Sequence, residues 1–463
     1  MPGLMKAINK LIYYGIGTFG SKVIYFLLVP FYSFFLSKSE LGIYDLILAS
    51  LTIITPVITI QISEAVYREL LDPKRKTQKP SQIFSSGLSV VFIGLLLFVT
   101  AAFIINQFFH YQILYELILI QSSFTLYVFF QQTLRGLSLN KEYAYMGFLN
   151  AVLLVLFSAA LIAFYELQIS YVILAISAAQ IISIIYAAFK VNFYDLFELK
   201  QIKKVRIHEL FLYSFPLLPN TLSWWLIDLG SRYIILLFIG IEENGLYAIA
   251  ARYAGIIALV NSIFILSWQD YVINTKLKIS SDKKELSLSL NLFVAFQIGL
   301  VILLTSFSKE LIYYTTPPAF HDAAKYLPIL LISSAFASFC GFYGAFYLKE
   351  KRTRKIFTTT FIGSTINIML CVVFINYFNL YAVATASFFG FFITFLIRYK
   401  DFDIMLNFKH FVLLICLYIV IYYTATSIES SNLRLISIAV ALISFILINI
   451  NIYQKLFLKN ISR

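Results

Sequence analysis

An all-α protein that crosses the membrane about 14 times is the fold class this sequence predicts, and three observations predict it. Sixty per cent of the 463 residues are hydrophobic and 13% are charged, with a mean hydropathy of +0.84, more apolar surface than a soluble fold hides. Nearly uncharged apolar runs of about 18 residues or more recur along the chain, the length that crosses roughly 30 Å of hydrocarbon as a helix. The net charge of +13 is spread as short basic clusters between those runs, which suits a membrane surface rather than nucleic acid. Sustained period-2 alternation, the mark of a β-barrel, is absent.

The first apolar run begins near Leu11 and ends near Leu36. It is too long for a signal-peptide core and lacks a small-residue cleavage site, so it reads as a retained helix. Spans two to six fall at approximately 43–63, 83–106, 113–134, 143–164 and 171–190. A basic linker from Asn192 to Glu209 then leads to a second series at approximately 210–239, 245–270, 286–305, 324–348, 356–376 and 380–398. Two further spans, at about 409–427 and 434–454, complete the count.

The intervening loops orient these spans, because short cytoplasmic loops are rich in Lys and Arg. Placing both termini in the cytoplasm puts about 29 of the basic residues inside, against about three outside (Lys38, Lys309, Arg434) and four within helices (Lys22, Arg232, Arg252, Lys325). Arg398, Lys400 and Lys409 are counted here with one cytoplasmic loop. An odd number of missed helices would scramble that alternation.

The chain also repeats itself. Ser37-Lys-Ser-Glu-Leu-Gly-Ile-Tyr44 opens the second span, and Gly240-Ile-Glu-Glu-Asn-Gly-Leu-Tyr247 opens the eighth. Shifting the first six spans by about 203 residues overlays them on the next six. Each half has an even number of spans, so the repeats run parallel, related by an axis along the membrane normal. The expected organisation is a six-helix bundle over 1–208, a second over 209–400, a central cavity between them, and two added helices over 401–463.

With the repeat in view, the stretch Leu11 to Arg68 resembles the start of the polysaccharide flippase family, the O-antigen and capsule exporters of the multidrug/oligosaccharidyl-lipid/polysaccharide superfamily. The residues that carry the resemblance are Gly17-Thr-Phe-Gly-Ser-Lys22, Leu27-Leu-Val-Pro30-Phe31, Ser39-Glu-Leu-Gly-Ile-Tyr44 and Glu64-Ala-Val-Tyr-Arg68. Ser214-Phe-Pro216-Leu, Asp228-Leu-Gly-Ser-Arg232-Tyr and Asn244-Gly-Leu-Tyr247-Ala echo it in the second half. Two positions depart from the family pattern: Asn379-Leu-Tyr-Ala-Val-Ala stands where a Gly-rich turn is common, and Asp270 stands where a Pro is expected.

The resemblance implies a flippase of a bacterial cytoplasmic (inner) membrane that moves undecaprenyl-diphosphate-linked oligosaccharide by alternating access. Its implied partners are that lipid-linked substrate, membrane lipids, and the polymerase and glycosyltransferases of lipopolysaccharide or capsule synthesis. A multidrug cation antiporter and a lipid II flippase are the alternatives within the superfamily. A membrane-embedded glycosyl or acyl transferase would need a loop with clustered Asp, Glu or His, and no loop offers one.

Charges at membrane depth cost at least a few kcal/mol, so they mark cavities or internal pairs. Lys22, in the first span, is either a cationic anchor for a diphosphate or acidic sugar, or a side chain snorkelling to an interface. Asp228 and Arg232 stand at i, i+4 spacing on the seventh span, either as an ion pair bracing the bundle or as cavity groups for phosphate and a coupling ion. Arg252 lies about 10 Å inside the start of the eighth span, at a depth similar to that of Arg232. Glu64 and Arg68, again i, i+4, close the second span as a local ion pair, a gate or a headgroup contact.

Trp224 and Trp225 lie deeper than an aromatic belt requires and read as packing residues. Catalysis is not expected. Cys340, Cys371 and Cys416 sit singly in apolar runs, and His110, His208, His321 and His410 show no metal-ligand spacing. No GxxxxGK[ST] phosphate loop is present, so neither a cofactor nor ATP hydrolysis by the chain itself is expected.

Overall fold

The structure of the protein is a computed structural model. It describes residues 20–71, 79–110, 112–164, 168–274, 282–350, 352–402, 404–427 and 431–461. Among the described residues every regular element is helical, and eleven helices are long and apolar enough to cross a membrane. Shorter apolar helices, Gly20–Tyr32, Leu229–Phe238 and Arg434–Ile450, fall where the first, seventh and fourteenth spans are expected. The fourteen-span reading therefore stands.

The chain divides into two compact units, Met1–Trp225 and Leu226–Arg463. The first holds α1 (Gly20–Tyr32), α2 (Lys38–Thr59), α3 (Ile62–Leu71), α4 (Pro80–Phe109), α5 (Leu114–Gly136), α6 (Asn140–Phe164) and α7 (Ile169–Lys190). It continues through the short α8 (Phe193–Leu196), α9 (Lys204–Ser214) and the opening of α10 (Leu218–Phe238).

Local chemistry explains how several of these helices begin. Ser37 and Glu40 form a capping box on α2: the Glu40 amide donates to Ser37 Oγ at 3.2 Å, and the Ser37 amide donates to Glu40 Oε2 at 3.0 Å. The other Glu40 oxygen accepts from the Ile169 amide at 3.4 Å, so one carboxylate meets the positive ends of α2 and α7. Pro80 opens α4, where its missing N–H costs nothing.

Helix α7 lies against α5 and α6, and α2 lies against α5. Phe84, Phe129, Phe130, Leu134 and Val191 belong to one buried core of this unit. The linker is stitched to α4 as well: Ser85 Oγ accepts from the Glu198 amide at 3.0 Å and Ser86 Oγ from the Lys203 amide at 3.2 Å.

The second unit carries the rest of α10, then α11 (Ile241–Asn274), α12 (Lys283–Ser306), α13 (Ser308–Thr315), α14 (Leu327–Lys349), α15 (Thr353–Phe378) and α16 (Leu380–Phe402). It ends with α17 (Phe408–Ser427) and α18 (Ser431–Ile461), both of which pack on α12. The pairing order of the first unit recurs, since α16 lies against α14 and α15, and α11 lies against α14. Gly363 and Gly390 let α15 and α16 touch backbone to backbone. A Cβ on Gly363 would stand 2.6 Å from the Gly390 carbonyl oxygen, and one on Gly390 would stand 2.9 Å from that of Gly363.

Three sequence expectations need correction. The second span does not run to residue 63: α2 stops at Thr59, and Ile60 (φ 51°) and Gln61 (φ 59°) turn the chain into a separate α3. The helix assigned to 210–239 is two helices, α9 and α10, joined by a 3₁₀ turn at Phe215–Leu217 whose Pro216 breaks the hydrogen-bond ladder. Arg398, counted with a cytoplasmic loop, lies inside α16 and is only 1% exposed. Its neighbours supply enough acceptors to replace water, as described below.

Candidate functional site

The sequence candidates divide between the two units. In the first, Lys22 extends exposed from the early part of α1. Glu64 and Arg68 share α3 but turn to different partners. Gln132 Nε2 on α5 donates to Glu64 Oε1 at 2.6 Å, and Gln132 in turn accepts from Arg135 Nη1 at 3.0 Å. Burial raises the Glu64 carboxyl above its ordinary pKa, with the nearby Arg135 charge opposing that rise. Arg68 instead lies over the ring of Tyr213 on α9, 4.2 Å from its centroid, a cation–π contact.

In the second unit Arg232 is 8% exposed, and its guanidinium sits 5.7 Å from the ring centroid of Tyr247 on α11. Arg252 is half-buried on that same helix. Beside Arg232, Ser231 Oγ donates to Asn367 Oδ1 at 3.3 Å, and Asn367 Nδ2 donates to Ser387 Oγ at 3.2 Å. These bonds tie α10, α15 and α16 around a polar centre. The side chains of Asp228, Trp224 and Trp225, and that of Asp270, lie outside the described residues.

Sequence reading missed other polar groups. Tyr25 OH accepts from Asn150 Nδ2, linking α1 to α6. Gln121 Nε2 donates to Thr55 Oγ1 at 2.9 Å and to Thr125 Oγ1 at 3.0 Å, linking α5 to α2. Arg398 is the largest fully buried side chain among those described. Its Nε donates to Thr359 Oγ1 at 3.0 Å, its Nη1 to the Cys340 carbonyl at 2.7 Å and its Nη2 to Thr360 Oγ1 at 2.9 Å. Asn, Gln and Arg inside apolar runs are the signal that would have flagged them, because bilayer-depth polar groups need internal partners.

Among the described residues no group of three or more His, Cys, Asp or Glu is placed to hold a metal ion. What the arrangement offers chemically is a set of buried or half-buried cations and amides at membrane depth, suited to anions and hydroxylated groups.

Residues 7–268 match the profile of a family described as Polysaccharide biosynthesis protein, and residues 282–373 match that of MatE. No curated protein matches the chain. Among solved structures, the lipid II flippase MurJ in an inward closed conformation superposes with a TM-score of 0.67 at 16% identity, over 96% of this chain and 100% of that one.

An inward-facing multidrug resistance MATE family transporter of the MOP superfamily gives 0.69 at 11% identity, covering 82% of this chain and 94% of its own. A mutant of the Vibrio cholerae MATE transporter VcmN gives 0.61 at 12%, covering 87% and 98%. At these identities the likenesses establish the fold alone: an all-helical, multi-pass membrane arrangement.

Proposed function

From the premise that the chain belongs to the polysaccharide biosynthesis protein family, we propose that this multi-pass membrane transporter flips undecaprenyl-diphosphate-linked oligosaccharide from the inner to the outer leaflet of a bacterial cytoplasmic membrane. The family match over more than half of the chain carries the proposal. In this reading Lys22, Arg232 and Arg252 attract the diphosphate and any acidic sugars along the glycan path, with Asp228 tempering Arg232. Glu64 and Arg68 act near the cytoplasmic end, at a gate or a headgroup, and both termini face the cytoplasm. The polyprenyl tail stays in lipid while the protein alternates its access.

The charge that the sequence places within the spans favours an anionic cargo. Lys22, Arg232 and Arg252 outnumber Asp228, whereas a transporter of cationic drugs needs acidic groups to draw cations in. A second reading, a flippase for lipid II, rests on the match to MurJ along the whole of that chain. Both lipids carry a diphosphate, so the same cations serve either.

Complementation tests the choice. A strain lacking its own repeat-unit flippase should regain surface polysaccharide with the wild-type chain and lose most of it with Lys22→Ala, Arg232→Ala or Arg252→Ala at equal membrane abundance. Full polysaccharide in all three variants would overturn the anion path. Rescue of cells depleted of their lipid II flippase, without polysaccharide rescue, would carry the second reading instead.

A further inference from the structure

The two halves differ at a place where their repeats should agree. At the offset that aligns the repeats, the combined stretch Lys38–Leu71 corresponds end for end to Ile241–Asn274. In the second unit that stretch is one unbroken helix of 34 residues, α11. In the first it is cut in two at Ile60 and Gln61, both in the left-handed region.

A β-branched residue pays for that conformation with steric strain, so something must hold it there. Pro56, whose ring removes a donor from the α2 ladder, offers its own carbonyl to the Ile60 and Gln61 amides. Gln61 Nε2 donates to Thr221 Oγ1 at the start of α10 at 2.7 Å.

Beyond the break, α3 lies in a fitted seat. On the α5 side, Gly136 admits it closely: a Cβ there would stand 2.8 Å from Leu70 Cβ and 3.0 Å from the Tyr67 carbonyl oxygen. Arg135 covers the Tyr67 ring at 4.5 Å. On the α9 side, Arg206 Nη1 meets Glu69 Oε2 at 3.3 Å, with side chains 10% and 8% exposed, and it also bonds Glu209. Helix α9 is itself anchored to α4 through the serine bonds of the linker, and it leads directly into α10. Strained hinge residues at one end of a short helix and an ion-paired clamp along its length are the parts that a two-position element needs.

We propose that α3 is a hinged gate on the cytoplasmic side of the first unit, swinging about Ile60 and Gln61 and latched shut by the Glu69–Arg206 pair to α9. The gate rests on the transporter reading, but not on the identity of the cargo. Opening it separates Glu69 from Arg206 and lifts α3 from Gly136, while the bond from Gln61 to Thr221 ties the hinge to the start of α10.

Two measurements test the gate, in protein whose native cysteines are replaced (Cys340→Ala, Cys371→Ala, Cys416→Ser). Leu70→Cys with Gly136→Cys would put the two Cβ atoms 2.8 Å apart in the seat, so α3 must stand off by about 1 Å to reach the disulfide separation of about 3.5–4.5 Å, and the cross-link then fixes α3 beside α5. Oxidation should form the cross-link and abolish surface polysaccharide, and reductant should restore it, which also shows that the variant is folded. Undiminished transport with the cross-link formed, or failure of the link to form, would overturn the proposal.

The second measurement needs no transport assay. Ser63→Cys, at a position 5% exposed on α3, should react slowly with a water-soluble maleimide in inside-out vesicles and several-fold faster when Arg206→Gln opens the latch. Equal rates would overturn the gate. A wrong polysaccharide reading would instead show as a wild-type chain that never restores surface polysaccharide while the labelling difference persists.

Discussion

At the scale of single residues the chain shows two ways of keeping a cation in an apolar bundle. Arg232 rests near an aromatic face, whereas Arg398 is satisfied by hydroxyl and carbonyl oxygens drawn from α14 and α15. The acceptors of Arg398 are neutral and come from two neighbouring helices, so it works as a three-helix clasp. Arg398→Ala should cost about 2–4 kcal/mol through lost charged hydrogen bonds and the void left behind. Arg398→Met, which fills the space and leaves only second lone pairs of helix carbonyls and two hydroxyls unmet, should cost distinctly less. Melting temperatures of the purified variants check the order, and an Ala variant as stable as wild type would refute the clasp.

At the scale of elements, small residues decide how closely helices pack. In a bilayer, apolar area gives helices no reason to associate, so close backbone approach and internal hydrogen bonds carry the packing. Gly363 on α15 shows the constraint most sharply, since an added Cβ would stand 2.0 Å from Thr394 Oγ1 as well as against the Gly390 backbone. The threonine can rotate; the backbone cannot. Gly363→Ala should therefore force α15 off α16 and destabilise the second unit by roughly 1–3 kcal/mol. Membrane abundance and melting temperature read this, and a neutral result would mean that the crossing is looser than described. Gly255, with nothing within 4 Å of its added Cβ, is the matched control.

At the scale of the whole molecule the alternation of basic loops makes a topological prediction that each unit can fail separately. Reporter fusions after Arg75, Lys204, Lys283 and Arg352 should report cytoplasm, and those after Ser39 and Glu243 the outside. One reversed loop would break the fourteen-span arrangement. With all six fusions as expected, both units present their basic loops on one side, as parallel repeats require. The family assignment and the shared fold agree with a multi-pass plan.

Sequence alone determined the span count, the repeat and the candidate cations, because hydrocarbon imposes a length on every crossing helix and makes every charge within it conspicuous. It also carried the family, through short motifs such as Glu64-Ala-Val-Tyr-Arg68. Only the tertiary structure decided what those residues touch. Glu64 and Arg68 have the spacing of an ion pair, yet one turns to α5 and the other to α9, because packing between helices outweighs a local attraction worth only a few tenths of a kcal/mol. Arg398 has the spacing of a loop charge, yet neighbouring helices bury it. The break at Ile60–Gln61 was invisible for the same reason: no glycine marks it, and the left-handed backbone is held by partners distant in sequence, among them Thr221. Periodicity and charge act along the chain and can be read from it, whereas the partner that satisfies a buried polar group exists only once the helices have packed.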